Sequence, residues 1–465
     1  MDLDKHAAIS IPHGIFFAKT NTFKLFPVQH TLALRCDNNV HGALCALCNL
    51  SRTNPSYQDA ALRPWATGYE LQLPYGQVDC DSNCGSNLMG KVMRTLLMAG
   101  LTMGLTSSTL SKAQDTDTRG AGAVFVMTNN VDKNEVVAYR RANDGALQES
   151  GRFATGGRGS GGNNDPLESQ GSLTLSQDHS LLFAVNAGSG SVSVFHVHGS
   201  QLALVDKVIS GGTEPNAVAQ HGNLVYVVNV GGSSNVVGFI LDHGKLKQIP
   251  NSTRFLSTNN SGAGGLAFSP DGRFLVVVER LTNLIDVFTV QDDSTLSPIV
   301  ENPSAGPGAF SVSFASNGAA LVSETGPSGV ANASAISSYE VAGNGTLTPI
   351  STSVPTLGAA NCWNVVTPDG SFVYTSNAGS STISGFAIAN TGVLTALPGT
   401  VVGTNPEGSV NLDIAVSADG KFIYTLNSVA GAVGIFAVQK DWTLLNVGFG
   451  SGVSPLSGFN GIAAF

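Results

Sequence analysis

Two glutamates stand at positions where the chain otherwise repeats an asparagine. Glu279 ends the apolar run FLVVV and Glu324 ends the run ALVS. Carboxylates that meet at one site can divide the acid and base roles of a reaction or hold a cation. The pattern therefore offers Glu279 and Glu324 as catalytic candidates. The alternative interpretation makes them solvated surface residues, with Glu279 paired to the adjacent Arg280.

Substrate binding has five further candidates, which are polar, charged or aromatic: Arg158, Asn216, Trp363, Asn364 and Asp413. Arg158 lies in a glycine-rich stretch, residues 156–162, that could hold an anion. This stretch joins strand to strand and opens no helix, so it lacks the context of a phosphate loop, and we interpret it as a flexible loop over one channel face. Trp363 and Asn364 could instead pack between repeat units. Cys362, with no histidine near it in sequence, is interpreted as a small buried hydrophobe and not as a nucleophile.

A repeated unit of several short strands must position these residues. One copy begins at Gly265, another at Asn364 and a third at Asp413. Each contains a turn such as Pro270-Asp271-Gly272, followed by a β-branched or aromatic run. The polar residue that closes the second strand recurs at Asn129, Asn186, Asn229, Glu279, Glu324, Asn377 and Asn427. Spacings of 43 to 57 residues with several strands per unit predict an all-β fold, a seven-bladed β-propeller.

The two ends of the repeat predict how the ring closes. The chain finishes with GFNGIAAF, which resembles the first strand of a unit, whereas the copy at Val124 begins with its second strand. We therefore expect the C-terminal strand to complete the N-terminal blade, which removes two exposed edges.

Composition limits the partners of the protein. The 465 residues carry a net charge of −9, with 42% hydrophobic and 12% charged residues. This low-charge, acidic composition argues against nucleic acid, which needs clustered Lys and Arg. The sequence predicts no cofactor and no metal, and a monomer. A metal-dependent variant would need carboxylates from neighbouring blades to converge on one point.

The segment MGKVMRTLLMAGLTMGLTSSTLSKA, residues 89–113, has the layout of a secretory signal peptide, because a cationic start precedes a short apolar run and small residues. It is too short and polar to span a membrane. We therefore expect residues 1–88 to be a non-native extension with little structure, residues 114–465 to form the propeller, and the protein to be secreted or periplasmic. Five of six cysteines precede Met89, and a zinc site among them is the less favoured alternative.

The repeats, the ring closure and the loop TGGRGSGGNNDPLESQGS from Thr155 resemble the seven-bladed lactonase family, which includes 6-phosphogluconolactonases and 3-carboxymuconate cyclases. The family's hydrolases carry Arg and His together in the first strand of a blade, before the turn. Here the Arg position of the fifth copy is Phe310. The His position is held by Ser172, Asn216, Gly265, Ser311, Trp363 and Asp413.

Together with the signal-like segment, the resemblance implies an exported propeller that opens or forms the lactone of a small carboxylated substrate at the mouth of the central channel. Glu279 and Glu324 would then supply acid and base, and no cation for the oxyanion is evident. The alternative is a non-catalytic propeller that binds a cell-surface glycan or protein. A cluster of ionisable groups at one channel mouth would favour an enzyme, and an apolar or aromatic patch would favour a binder.

Overall fold

A computed structural model describes seven short strands before residue 80 by their backbone, together with residues 122–327 and 330–465. The chain divides into two compact units, Met1–Gln114 and Asp115–Phe465. The predicted signal peptide lies outside the described residues, as do the cysteines before it. That residues 1–88 are a non-native extension stays a prediction. No helix in the described part of the chain is long and apolar enough to cross a bilayer.

The first unit contains strands β1 to β7. They are Ala8–Ile11, Gly14–Phe17, Thr22–Phe23, Leu32–Arg35, Ala61–Trp65, Gly68–Leu73 and Val78–Asp79, in that order. Five form a sheet in the order β2-β1-β4-β6-β5, and β3 pairs with β7.

The second unit contains seven sheets, numbered here as blades 1 to 7. Blade 1 has β8 (Gly122–Met127), β9 (Glu135–Arg141), β10 (Leu147–Ala154) and β36 (Asn460–Ala464). Blade 2 has β11 (Leu173–Leu175), β12 (Leu181–Asn186), β13 (Ser191–His198) and β14 (Gln201–Ile209). Blade 3 has β15 (Thr213–His221), β16 (Leu224–Gly231), β17 (Asn235–Asp242), β18 (Lys245–Gln248) and β19 (Arg254–Phe255).

The remaining blades repeat this plan. Blade 4 has β20 (Ala263–Phe268), β21 (Phe274–Glu279), β22 (Leu284–Thr289) and β23 (Val300–Pro303). Blade 5 has β24 (Ala309–Phe314), β25 (Ala320–Glu324), β26 (Ala335–Val341) and β27 (Leu347–Pro355). Blade 6 has β28 (Asn361–Val366), β29 (Phe372–Asn377), β30 (Thr382–Ile388) and β31 (Leu394–Thr404). Blade 7 has β32 (Asn411–Val416), β33 (Phe422–Asn427), β34 (Ala432–Val438) and β35 (Leu444–Gly450).

The predicted seven-bladed propeller and its closure are confirmed. Strands run antiparallel from the axis outward in every blade, and β36 pairs with β8 as the innermost strand of blade 1. Ile462 lies opposite Val126, and the backbone N–H of Phe465 donates to Ala123 O at 3.0 Å. Because the two ends of the propeller pair, every blade has an inner strand and the ring is closed.

Turn chemistry fixes each inner hairpin. In blade 4 the Ser269 hydroxyl donates to Asp271 Oδ1 at 2.6 Å, and Gly272 takes φ of 71°. The Asp271 carboxylate also accepts the N–H of Arg273. These hydrogen bonds satisfy polar groups of the turn that have no partner in a neighbouring strand, so the chain can reverse direction over a few residues.

The hydrophobic core lies between successive blades. Second strands such as β12 and β21 are buried on both faces, because each blade packs against its two neighbours. The buried apolar clusters each draw side chains from adjacent blades, for example Tyr226 of blade 3 with Leu275 of blade 4. Packing between blades therefore holds the ring together and fixes the ends of the inner strands.

Candidate active site at the entry mouth

The seven inner strands begin at one face of the ring, named here the entry mouth. Near the start of each strand lies a residue in the left-handed region of backbone space, before the strand in six blades and at its second residue in blade 3. These residues are Glu168 (φ 46°), Glu214 (52°), Gly262 (63°), Gly308 (76°), Ala360 (54°), Val410 (49°) and Gly458 (79°). Four of them are not glycine, so side chains there accept a strain of about 1–2 kcal/mol.

A β-bulge follows this residue in six blades. The pairing of the inner strand with the second strand skips residues at Asn216, Gly264, Phe310 with Ser311, Cys362, Leu412 with Asp413, and Gly461. A bulge frees a residue from the ladder and re-aims its side chain, and bulges are frequent beside active sites. These positions surround the axis at the entry mouth.

A long connection from blade 1 to blade 2, residues 155–171, crosses this mouth and is named here the crossing loop. Gly161 N donates to Asn129 O of blade 1 at 2.9 Å, and Asn163 O accepts the N–H of Gly458 at 2.9 Å. Further along, Gln170 N donates to Gly264 O of blade 4 at 2.7 Å. The glycine-rich stretch, interpreted from the sequence as a loop over one channel face and by resemblance as a lid, thus forms the first half of a loop that covers the entry mouth.

The loop reaches the far side of the ring at blade 6. Gln170 Nε2 donates to Asn364 O at 2.6 Å, and Asn364 N donates to Gln170 Oε1 at 3.2 Å. The indole N–H of Trp363 donates to Ser169 O at 3.0 Å. Both Trp363 and Asn364 are completely buried. Trp363 therefore offers no stacking face in this arrangement, and both residues hold the loop.

Ionisable side chains gather where the crossing loop meets blades 4, 7 and 1. Arg280, directly after β21, forms an ion pair with Glu168 of the loop and lies over the Phe310 ring, 5.3 Å from its centroid. Phe310 contacts Trp363 edge to face, with centroids 5.1 Å apart. Arg280 Nε is buried without a hydrogen-bond partner among the described residues. This leaves the guanidinium able to donate further.

Two aspartates share this region and keep high pKa values. Burial raises the pKa of Asp165 to about 6, against a hydrogen bond from Asn460 Nδ2 at 2.8 Å that lowers it. Burial also raises the pKa of Asp413 to about 7, although the N–H groups of Ile414 and Ile462 donate to its carboxylate. The Asp165 carboxylate also raises the pKa of Asp413. Carboxyl groups that titrate near neutrality are suited to proton transfer.

The thiol of Cys362 lies beside these groups but is not activated. Burial raises its pKa well above the ordinary value. The described residues place no imidazole against it to take the proton, which agrees with its interpretation as a buried hydrophobe.

The two glutamates predicted as catalytic lie apart, in blades 4 and 5, and share no hydrogen-bond partner. Glu279 accepts from Ser257 N at 2.8 Å and from the hydroxyls of Ser257 and Thr282. Glu324 accepts from Ser337 Oγ at 2.6 Å, Ser353 Oγ at 2.8 Å and Gly306 N at 3.0 Å. Both are completely buried, so their interpretation as solvated surface residues is wrong. Arg280 pairs with Glu168 instead of Glu279.

The five asparagines at this position make comparable bonds. Asn377 Nδ2 donates to Ser384 Oγ at 2.8 Å, and Asn186 accepts from Thr155 Oγ1 at 2.6 Å. Four of these side chains tie the third strand or the incoming connection to the end of the second strand, and Asn129 instead bonds Ser160 and Gly161 of the crossing loop. A catalytic role for Glu279 and Glu324 stays a prediction, which their burial and complete hydrogen bonding disfavour.

The other predicted binding residues are not brought together. Asn216 Nδ2 donates to Ala263 O at 2.7 Å and to Leu167 O at 3.4 Å, which fastens blade 3 to blade 4 and to the loop. Arg158 is exposed, and its backbone N–H donates to Ser189 Oγ. Only Asp413 belongs to the ionisable cluster. Among the described residues no group of three His, Cys, Asp or Glu side chains is arranged to hold a metal ion.

Comparison with protein families identifies the fold. The model of the seven-bladed β-propeller lactonase family matches residues 121–256 and 233–360. The chain belongs to this family. No curated protein matches it by sequence.

Solved structures agree on the fold. A Bacteroides fragilis protein provisionally named a 6-phosphogluconolactonase superposes with a TM-score of 0.54 at 15% identity, over 76% of this chain and 100% of its own. A similarly named Bacteroides uniformis protein gives 0.54 at 17%, over 73% and 99%. The periplasmic gluconolactonase of Pseudomonas aeruginosa gives 0.53 at 18%, over 73% and 98%.

The sequence pattern missed Arg280 and Asp165. Arg280 directly follows Glu279, the last residue of β21, and from the sequence it was considered only as an ion-pair partner of Glu279. Asp165 lies in a loop with no strand period. The crossing loop carries acidic residues between its glycine-rich stretch and β11. These residues could have indicated Asp165 from the sequence, because a loop that covers a site is the part of the chain expected to contribute side chains to it.

Proposed function

We propose that the protein hydrolyses a lactone at the entry mouth, with Asp165 as general base and Arg280 as the cation that faces the developing oxyanion. One observation carries the proposal: a part-exposed carboxyl group with a pKa near neutrality and a guanidinium with unused donor capacity converge at the mouth of a lactonase-family ring. Ester hydrolysis needs both groups.

The reaction follows from these roles. Asp165 takes a proton from water as the water oxygen bonds to the lactone carbonyl carbon. Arg280 stabilises the negative oxygen of the tetrahedral intermediate. Collapse breaks the bond between that carbon and the ring oxygen, and protonated Asp165 returns the proton to this oxygen, which leaves as the hydroxyl of a hydroxy acid. General base catalysis contributes about 10²–10⁴-fold, and one oxyanion donor about 10²–10³-fold.

A carboxylated or phosphorylated substrate is favoured by the partner that Arg280 already has. Glu168 sits on the crossing loop, is exposed, and has φ of 46°. Its carboxylate pairs with Arg280 from a strained backbone, so an anionic substrate group could replace it. The names of the structural neighbours make aldonolactones and their phosphate esters the first substrates to test.

Hydrolysis of gluconolactone and of its 6-phosphate tests the proposal. We expect Asp165→Asn and Arg280→Gln each to lower kcat/KM at least 100-fold, while Arg273→Gln, at the other end of the same strand, leaves it unchanged. In the active protein kcat/KM should rise with pH through about 6, as Asp165 loses its proton. Activity that survives both substitutions, or that has no such rise, would refute these assignments.

A second candidate is the non-catalytic propeller that binds a surface glycan or protein. It is favoured by the crossing loop, which covers the entry mouth, and by two cavities of 490 Å³ and 270 Å³, whose linings include turns at the opposite face. Absence of hydrolysis for every lactone tested, together with unchanged stability of Asp165→Asn, would favour this candidate.

Export forms part of the proposal and rests on the segment at residues 89–113. A secreted or periplasmic protein should lack this segment after maturation. Mass spectrometry of the native N-terminus tests this directly, and peptides from residues 1–88 would contradict the proposed start of the protein.

A further inference from the structure

Four short motifs outside the proposed active site share one pattern of residues. In each, a Ser or Thr stands two positions after an Asn, and the residue between them is not Pro. This pattern is the acceptor sequence for an asparagine-linked glycan. The four motifs are Asn251-Ser252-Thr253, Asn259-Asn260-Ser261, Asn332-Ala333-Ser334 and Asn344-Gly345-Thr346.

The first asparagine of every motif is exposed, although many asparagines of the ring are not. Fourteen asparagines in the described part of the propeller are buried, and none of them begins such a motif. Asn302 comes nearest, because Ser304 lies two positions later, but Pro303 stands between them and blocks the modification. A bulky, hydrated glycan cannot be packed in a core, so the motifs occur only where the fold can carry one.

The side-chain amides of these asparagines are available for reaction. Asn251 and Asn259 accept hydrogen bonds only through their backbone carbonyls, from Arg254 and from Ser234 Oγ. Asn344 Oδ1 accepts the N–H of Thr346 at 3.1 Å, which leaves its Nδ2 without a partner among the described residues. Buried asparagines use this nitrogen in the fold, as Asn216 does toward a backbone carbonyl.

Turn chemistry accounts for the asparagines but not for the hydroxyl groups that follow them. Asn251 and Asn332 have φ of 59° and 53°, a region that asparagine adopts more readily than most residues. No such need fixes the residue two positions later. The Ser261 hydroxyl is buried without a hydrogen-bond partner among the described residues. Ser334 differs, since its hydroxyl donates to Thr325 O at 2.7 Å.

We propose that Asn251, Asn259, Asn332 and Asn344 carry asparagine-linked glycans in the exported protein. The inference rests on the proposed export, because a chain meets the transferase and its lipid-linked oligosaccharide donor only in a secretory pathway. In the reaction, Nδ2 forms a bond to the anomeric carbon of the sugar, and the bond from that carbon to the pyrophosphate of the lipid carrier breaks. The pyrophosphate leaves with the electron pair, and a base of the transferase takes one proton from the amide.

The four sites lie in one part of the ring. Asn251 and Asn259 flank β19 of blade 3, and Asn332 and Asn344 flank β26 of blade 5. The described residues of blades 6, 7, 1 and 2 contain no such motif. Phe255, on the edge strand β19, is 63% exposed and lies four residues from a site on each side. Glycans there would cover an exposed aromatic side chain at a sheet edge.

Peptide mass spectrometry of the protein isolated from its natural source tests the proposal. An N-glycosidase acting in heavy-oxygen water converts a glycosylated Asn to Asp and adds one heavy oxygen. We expect this label at all four asparagines after treatment and at none of them without the enzyme. Asn317 is the matched control, because it is exposed in a turn and followed by Gly but has Ala319 two positions later, and it should stay unlabelled.

The same digest separates this inference from the export on which it rests. A mature N-terminus near residue 114 without any labelled asparagine would overturn the glycans alone. A chain that starts at Met1 and carries no label would overturn both. Any of the four asparagines that stays unlabelled in an otherwise labelled protein is refuted as a site.

Two variants of the full chain, expressed in the same source, locate the modification. Thr346→Ala should abolish the label at Asn344 and Thr346→Ser should keep it, because only Ser retains the hydroxyl group. Both variants keep the backbone N–H that Asn344 Oδ1 accepts, so the turn itself is preserved. A label at Asn344 that survives Thr346→Ala would refute the assignment.

Discussion

A buried acid pair in blade 4 makes the stability of the protein depend on pH. Asp286 on β22 is completely buried and hydrogen-bonded to Glu279, and its oxygens have no other partner among the described residues. Burial, followed by the Glu279 carboxylate, raises the pKa of Asp286 to about 9. Asp286 is therefore protonated at neutral pH and donates its proton to Glu279.

The magnitude follows from proton linkage. An unfolded aspartate has a pKa of about 3.9, so between about pH 4 and 9 the folded protein holds one proton that the unfolded chain does not. The free energy of unfolding then falls with rising pH by about 1.4 kcal/mol per unit through this group. At pH 7 keeping Asp286 protonated costs about 4 kcal/mol relative to the unfolded state.

Asp286→Asn removes this penalty. The amide keeps a donor toward Glu279 and takes up no proton on folding. Its carbonyl oxygen stays without a partner, which costs about 1–3 kcal/mol. We expect the variant to match or exceed the parent protein in urea unfolding at pH 7, and its advantage to grow by about 1.4 kcal/mol for each pH unit from 5 to 8.

Urea unfolding at pH 5, 6, 7 and 8 measures this slope, and the infrared carbonyl band of a protonated carboxyl group at pH 8 should disappear in the variant. Ser384→Ala is the matched control in blade 6, because Ser384 donates to Asn377 as Asp286 does to Glu279. Its cost should not depend on pH. A difference between Asp286→Asn and the parent protein that stays constant from pH 5 to 8 would refute the reasoning.

Further predictions concern the frame of the ring. Deleting residues 458–465 exposes the faces that Phe459 and Ile462 cover and should lower the thermal midpoint by roughly 10 °C; unchanged unfolding would contradict closure by β36. Gly306→Ala places a Cβ 2.2 Å from Glu324 Oε2 and should cost about 2 kcal/mol in urea unfolding. Gly199 has φ of 60°, but no atom would lie within 4 Å of a Cβ added there, so Gly199→Ala should cost only about 1 kcal/mol in urea unfolding. Equal costs for the two substitutions would contradict a clash at Gly306.

The blade count and the ring closure could be predicted because both depend on local pattern. The residue that ends each second strand fastens a neighbouring strand or connection by its side chain, so a polar residue that can form several hydrogen bonds recurs at this position and gives the sequence a visible period. Closure follows from the unpaired copy of the inner strand at residues 458–465. Neither inference needs knowledge of which blades face each other.

The site could not be predicted in the same way, because it is built across the ring. Glu168 and Arg280 are 112 positions apart, and Gln170 and Asn364 are 194 apart. A repeat fixes neighbours in sequence but not the contacts of a loop that crosses the axis. Glu279 and Glu324 attracted attention as departures from asparagine, yet a glutamate there can make the same kind of structural bonds with a longer side chain.

The bulges explain how a lactonase-family ring can lack Arg and His in an inner strand and still offer a cation. A bulged residue is released from the ladder, so its side chain can change without loss of a strand hydrogen bond. In this chain those positions hold mainly small, apolar or amide side chains.

Arg280 instead lies just beyond the second strand of blade 4, and its side chain extends over the Phe310 ring to the same mouth. A glycine at position 264 makes this possible, because a Cβ there would lie 2.8 Å from Arg280 Cδ and 2.0 Å from Phe310 O. The position of Arg280 therefore depends on the absence of a side chain at residue 264. Gly264→Ala should displace Arg280 and lower the rate of lactone hydrolysis if Arg280 acts as proposed.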